Sequence, residues 1–299
     1  MPQRSLGWLS PHAVTDPRYR FDLIRNPGPY EGSTVISVIL TTYERRELVE
    51  SALASVFAQT TAACEAIVVD DGSTDGSAEF LRHQPIQLLS VPHSGNPAVA
   101  RNSGLDRARG DLIAFLDSDD TLRPNALTDL SDALRAHPAA GFAYGDYEPD
   151  PGPRPLVPRV GDIFDRLLES DFLVTGAVLF RRSLLGAVGR LDPHCSPAED
   201  WDFWLRLAAR VDGVHVPRTV IDIGIGVDSL SRAPGGAIYG ANLRVTRKAL
   251  RWCLDHRPAS IALARRAYRQ SMLASARYHW HRRAIAQTVR DLAMVARVR

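Results

Sequence analysis

Apolar residues in this chain are bunched into short runs, each of which gives way abruptly to polar residues. Val35-Ile36-Ser37-Val38-Ile39-Leu40, Glu65-Ala66-Ile67-Val68-Val69 and Leu112-Ile113-Ala114-Phe115-Leu116 are near-continuous apolar segments of strand length. Runs so short and so little alternated read as strands buried on both faces. Between them the spacing changes. From Glu47 to Gln59 the apolar positions Leu48, Val49, Leu53, Val56 and Phe57 recur near the helical period. Further helices are expected from Ser77 to His83 and from Ala98 to Arg109, with a short strand from Ile86 to Val91. Strand-helix alternation with polar, Gly-containing turns after the strands predicts an α/β fold: a Rossmann-like, mainly parallel sheet flanked by helices. Such sheets bind ligands at the carboxyl ends of their strands.

The second half is patterned differently. Ile163 to Leu168 reads as helix and Leu173 to Phe180 as strand, and in Glu199-Asp200-Trp201-Asp202-Phe203-Trp204-Leu205-Arg206 the i, i+4 spacing of Asp202 and Arg206 permits a helical ion pair. Ala241 to His256 and Ala259 to Arg297 read as helices with arginines among Ala, Leu and Val. The expected division is an irregular arm over residues 1–33, a nucleotide-binding half over 34–150, an acceptor half of the same domain over 151–240, and a basic helical extension over 241–299. The Pro-rich stretch Pro149 to Pro158 separates the two halves.

Composition narrows the class. With 45% apolar and 23% charged residues among 299, the chain is globular, and disordered or collagen-like classes are excluded. No apolar run approaches the roughly 18 residues that cross a bilayer, and no apolar leader segment follows Met1-Pro2-Gln3-Arg4. Cys64, Cys195 and Cys253 form no CxxC pair, which suits packing roles in a reducing cytoplasm. Net charge is +2, but from Ala241 onward 14 basic residues stand against Asp255 and Asp291, so +12 is concentrated there and the first 240 residues carry −10. The halves are electrostatically different objects.

The chemistry gathers where the third apolar run ends. Asp117-Ser118-Asp119-Asp120 places three carboxylates within four positions. Carboxylates so crowded repel one another, and a divalent cation with hard-oxygen preference, Mg²⁺ or Mn²⁺, relieves the repulsion. Capping of a following turn explains one of the three easily and all three poorly. Asp70-Asp71-Gly72-Ser73 closes the second strand; an Asx-type turn accounts for one of its two aspartates.

In order along the chain, Ser37-Val38-Ile39-Leu40-Thr41-Thr42-Tyr43, Val69-Asp70-Asp71-Gly72-Ser73-Thr74-Asp75, Ala100-Arg101-Asn102-Ser103-Gly104-Leu105, Asp117-Ser118-Asp119-Asp120 and Glu199-Asp200-Trp201-Asp202 resemble the motifs of family 2 glycosyltransferases of the GT-A fold, over roughly residues 34–232. The resemblance implies an inverting transfer of a sugar from a nucleoside-diphosphate donor, UDP-linked, to an acceptor hydroxyl in glycan biosynthesis. It assigns Thr41, Tyr43, Glu44, Asp71, Arg101, Asp117 and Ser118 to the nucleotide, and Asp117 and Asp119 to the metal, with Asp119 the principal ligand and Asp120 behind it. Asp200 is then the general base. Glu199, Trp201 and Gly176 join Asp120 as acceptor-side or supporting residues. Arg101 has a competing reading as an ordinary surface arginine. Of Trp201 and Trp204, one is expected to face sugar and one to fill core. The chain departs from the family pattern at Gly226, where many relatives carry a histidine before a Ser-x-Ser; either Asp228 or a water substitutes, or metal dependence is altered. His215, between valines, reads as a packed strand residue.

The basic extension suggests an anionic membrane surface as partner, set against a solvated helical face or an oligomer interface. Lipid-linked acceptors would match the first reading, as would a cytoplasmic protein held peripherally at the inner face of the plasma membrane. No nucleic-acid motif accompanies the charge. Two other classes remain open: a catalytically silent nucleotide-binding scaffold, and a nucleotidyltransferase. The latter would carry a Gly-rich phosphate loop where this chain has Thr41-Thr42-Tyr43-Glu44.

Overall fold

A computed structural model describes residues 34–61, 64–148, 159–224, 236–284, 287–291 and 293. The expectations for the arm over 1–33, for Pro149 to Pro158, and for Gly226 and Asp228 lie outside these residues.

The first half follows the predicted alternation: β1 (Ile36–Thr42), α1 (Arg46–Phe57), β2 (Cys64–Asp70), α2 (Ser77–Arg82), β3 (Gln87–Ser90), α3 (Pro97–Leu105) and β4 (Leu112–Asp117). The third helix is shorter than the periodicity suggests. The Asn96 side chain accepts from the Ala98 amide and Pro97 occupies the first turn, which sets its start, and it ends at Leu105. The four strands pair in parallel in the order β3-β2-β1-β4, with Thr41 opposite both Val69 and Asp117. That register brings the polar ends of β1, β2 and β4 to one edge.

Beyond β4 the sheet is mixed. The chain continues through β5 (Thr121–Leu122), α4 (Ala126–Ala136), β6 (Phe142–Glu148), β7 (Val160–Gly161) and α5 (Phe164–Glu169) to β8 (Val178–Arg181), α6 (Leu185–Val188), α7 (Glu199–Ala208) and β9 (Gly213–Asp222). β8 runs antiparallel to both β4 and β6, β6 runs parallel to β9, and β5 and β7 run antiparallel to β9. The strand expected from Leu173 to Phe180 begins only at Val178, because Thr175–Ala177 forms a 3-10 turn. Gly176 within that turn is buried, and a Cβ there would stand 2.2 Å from Ile221 Cδ1. It is a packing position and offers no surface to an acceptor.

Apolar residues alternate between two cores, one on each face of the sheet. Ile39, Ile67, Phe115 and Phe180 point to the side covered by α3 and α7, and Val38, Leu40, Val68 and Leu116 to the side covered by α1 and α4. The C-terminal helices α8 (Ala237–His256) and α9 (Ile261–His281) belong to the first core: Ala241, Val245, Ala249, Cys253 and Ala264 are buried in the same cluster as Phe203 and Trp204. The basic extension is therefore built onto the face of the sheet that carries α7 along one apolar stripe. α9 also stops well short of Arg297. Arg283 takes a left-handed φ of 56°, and helical backbone resumes only at residues 287–291.

Phe164 of α5 is 2% exposed, its ring 5.2 Å from Trp252 of α8 and beneath the Arg257 guanidinium. Phe164→Ala is expected to cost about 3–5 kcal/mol in a single cooperative denaturant transition. A separate early transition for α8 and α9 would show them to be an independent unit.

Candidate active site

Three strand ends and the start of one helix meet at this edge. Asp117, the last residue of β4, retains 31% side-chain exposure and accepts from Arg101 Nη2 at 2.6 Å and from the Thr41 hydroxyl at 3.4 Å. Arg101, on the inner face of α3, is 5% exposed and also bonds Glu199 Oε1 at 2.7 Å from Nη1. Burial opposes its charge, but Asp117, then Glu199 and Asp200, hold its pKa above the ordinary value. Arg101 is thus neither a surface arginine nor exposed to a diphosphate. It is a buried bridge between β4 and α7. Burial raises the Glu199 carboxyl against the pull of Arg101, and Asp200 adds to the rise.

The other β4 carboxylates divide by depth. Asp119 is 16% exposed and pairs with Arg45 Nη1 at 2.9 Å. Asp120 is buried and accepts from the Gly224 amide at 3.0 Å. Gly224 is required there: a Cβ would lie 2.0 Å from the Asp119 carbonyl oxygen. Burial, with the Asp117 charge beside it, pushes Asp120 up to about 8, against the opposing Gly224 hydrogen bond. Ser118 is 2% exposed, so its side chain faces the interior. The open pair Asp117 and Asp119 suits Mg²⁺ or Mn²⁺: hard oxygens, too few for a complete protein cage, reachable from solvent and leaving positions for phosphate oxygens and water.

Asp200 stands in the first turn of α7. The Thr175 hydroxyl donates to its Oδ2 at 2.7 Å and the Trp201 amide to its Oδ1 at 2.8 Å, which fixes the carboxylate plane. Neither tryptophan offers a ring face. Trp201 is 7% exposed with its indole N–H given to the Leu167 carbonyl, and Trp204 is 1% exposed. The expected sugar platform among them does not exist, because the apolar face of α7 points wholly into the core. Asp202 pairs with Arg206 as the spacing predicts.

At the outer rim, Tyr43 is 40% exposed and stacks on His93, with ring centroids 3.8 Å apart. Asp71 is anchored within this rim: Oδ1 accepts from the Ser94 amide and hydroxyl at 3.0 Å, and Oδ2 from the Gly95 amide at 3.1 Å. Glu44 adopts a left-handed φ of 49° and accepts from the Thr74 amide and hydroxyl. Asp71 and Glu44, two of the three carboxylates expected to meet the nucleotide, are engaged with neighbouring loops in this structure. Asp70 makes the Asx turn, accepting from the Ser73 amide at 3.2 Å. His215 pairs with Asp146 at 2.9 Å on β6, a strand packing role.

Arg45, His93, Ser94, Thr175 and Gly224 join the site without having been expected from the sequence. Arg45 alone carried a signal, as a cation directly after the polar end of β1; the others depend on loops that meet only in the fold.

The profile of glycosyl transferase family 2 matches residues 37–189. The chain belongs to that family, and the enzyme class is glycosyltransferase. An Escherichia coli UDP-Glc:alpha-D-GlcNAc-diphosphoundecaprenol beta-1,3-glucosyltransferase, WfgD, is 35% identical over 118 residues, covering 38% of this chain and 46% of that protein. Matches to other curated relatives span between 15% and 71% of their lengths. Among solved structures, S. aureus TarS in complex with UDP-GlcNAc superposes with a TM-score of 0.61 at 17% identity, over 87% of this chain and 90% of that one. A mannosyltransferase from Pyrobaculum calidifontis in complex with GDP-Man and Mn²⁺ gives 0.59 at 20% identity, over 90% and 79%. The GT-A fold expected from the sequence is thereby shown.

The raised Asp120 carboxyl makes stability depend on pH. Its folded pKa of about 8 exceeds the ordinary 3.8, so the folded state favours the protonated form and loses stability as pH rises from about 4 to about 8. In EDTA, Asp120→Asn is expected to flatten that part of the stability-pH curve and to exceed wild type above pH 8. Parallel curves for the two proteins would show that Asp120 ionises normally.

Proposed function

We propose that the chain transfers a sugar from a nucleoside-diphosphate donor, UDP-linked, to an acceptor hydroxyl with inversion at the anomeric carbon. The observation that carries this reading is the Arg101 bridge, which ties the carboxylate at the end of β4 to the helix start that presents Asp200. Leaving-group side and acceptor side are thereby parts of one site. Asp200, held by Thr175, takes the proton from the acceptor hydroxyl as its oxygen attacks opposite the departing nucleoside diphosphate. Attack on the face away from the leaving group inverts the configuration. Tyr43 and His93 form an aromatic rim beside the open edge, suited to cover a base or ribose. Asp117 and Asp119 would hold Mg²⁺ or Mn²⁺, which when bound neutralises charge on the diphosphate. TarS with UDP-GlcNAc and the mannosyltransferase with GDP-Man and Mn²⁺ support a nucleotide-sugar donor and a divalent ion for this fold.

Asp200→Asn is expected to lower kcat by about 10² to 10⁴ while leaving UDP affinity in Mn²⁺ unchanged, and Asp119→Ala to weaken that affinity in calorimetry. Wild-type turnover by Asp200→Asn would remove it as the base. A protein that transferred from no nucleotide sugar would instead be the silent scaffold.

The acceptor is read as a glycan or lipid-linked hydroxyl compound, as WfgD's diphosphoundecaprenol substrate suggests, and the enzyme as cytoplasmic and peripheral at the inner membrane face. The supporting feature is α9. Arg269, Leu273, Arg277 and Trp280 are all exposed and recur at i, i+4, i+8 and i+11, one face of a helix without a single acidic residue. Cations and an interfacial tryptophan on one face suit an anionic bilayer surface. No described helix is long and apolar enough to cross a membrane. Replacing Arg269 and Arg277 by Glu together with Trp280→Ala is expected to abolish sedimentation with phosphatidylglycerol vesicles at low salt. Undiminished vesicle binding would place the contact elsewhere or nowhere.

A further inference from the structure

Among the described residues, the tightest group of ligand-type side chains lies outside the candidate active site. One atom from each of Asp192, Cys195 and Asp202 falls within 4.8 Å of the others. Asp192 accepts from the His194 amide to start the 3-10 turn Pro193–Cys195, and Asp202, in the first turn of α7, is 3% exposed. Two carboxylates and a sulfur at this separation need a cation. The chain supplies it from α8. Lys248 Nζ lies 2.8 Å from Asp192 Oδ2, 2.7 Å from Asp202 Oδ1 and 3.7 Å from Cys195 Sγ. Lys248 is the only lysine in the sequence, every other one of the 36 Lys and Arg residues being arginine. A compact ammonium directs its donors at three separate acceptors in a small space, whereas a planar guanidinium fork does not.

The elements joined here are those that build the Arg101 bridge. α7 carries Glu199 and Asp200. The segment leading into the turn is bound to α3 at three points: Asn102 Nδ2 donates to the Leu191 carbonyl, the Leu191 amide to Asn102 Oδ1, and Asn96 Nδ2 to the Pro193 carbonyl. α3 carries Arg101. We propose that Lys248 is a positioning residue for transfer, filling in cis a cation site whose two carboxylates belong to α7 and to the segment clamped on α3, and so holding Asp200 in place from the C-terminal helices. The inference rests on the reading of Asp200 as the base.

Full-length Lys248→Ala tests it. Loss of kcat by about tenfold or more is expected, with donor affinity changed by less than about twofold, because misplacement of a catalytic group costs rate while the donor carboxylates are untouched. Faster amide exchange is expected across residues 199–204. The excised atoms correspond to n-propylammonium, and the side chain is 40% exposed, so millimolar n-propylammonium is expected to restore turnover where n-propanol does not. Equal rescue by n-propanol would show a packing role alone and overturn the proposal. Unchanged kcat in Lys248→Ala, with Asp200→Asn inactive, would overturn it and leave the base intact. An active Asp200→Asn would instead sink the reading of the base, whatever Lys248→Ala does. If Lys248→Ala fails to fold, Lys248→Arg keeps charge and loses the compact shape: reduced kcat at unchanged donor affinity supports the proposal, and wild-type kcat overturns it.

Discussion

One buried guanidinium holds the two sides of this site together. Arg101 lies between Asp117, on the sheet, and Glu199, on a helix laid across it, and all its strong bonds go to these two carboxylates. Removing either partner from such an arrangement leaves an uncompensated charge in a poorly solvated place, which is why buried pairs are so costly to break singly. The arrangement is not fully satisfied. Among the described residues, Arg101 Nε and Glu199 Oε2 are buried without hydrogen-bond partners. Polar atoms left bare in this way cost stability, and they sit beside the groups to which transfer is assigned.

A second cation works from the opposite direction. Arg45 reaches Asp119 from the start of α1, so the first and third positions of the Asp-x-Asp sequence are each met by an arginine, one from behind and one from the front. Asp120 has no arginine ion pair among the described residues; it accepts from the Gly224 amide, and burial favours its protonated form. Three crowded carboxylates are thus accommodated in two ways, two by arginines and one by a proton. Only the outer two retain the exposure that a diphosphate and its cation would need.

The parallel half was legible because local patterns decide it. Doubly buried strands announce themselves as apolar runs, and their polar ends necessarily share an edge once the strands pair in parallel. Asp117 and Asp119 stand out in the sequence because carboxylates rarely crowd without reason, whereas Asp200 enters through the family resemblance alone. Arg101 could be picked out but not interpreted, since nothing in Ala100-Arg101-Asn102 says that Glu199, 98 residues away, will meet it. The tryptophans misled for a related reason: an aromatic serves a core and a sugar equally well, and only the orientation of α7 decides. Gly176 reads in the sequence as an acceptor-side or supporting residue, and the Ile221 side chain packed against its Cα shows it to be a place with no room for a side chain. Thr175 and Lys248 belong to contacts that no sequence window contains.

The change of strand direction at β4 also divides the molecule by sequence distance. β1 to β4 are linked by successive short crossovers, whereas β6 must find β9 some 70 residues downstream, with β8 wedged between β4 and β6 from within that interval. Contacts that close long loops form against a greater entropic cost, so a chain of this topology orders its local units first. The edge bearing Asp117 and Asp119 can take shape early. Asp200 and Glu199 arrive only when the long-range half closes, and Arg101 waits on α3 for the second of its two partners. On the proposed reading of Asp200 as the base, the two sides of the site come together only when the sequence-distant contacts close.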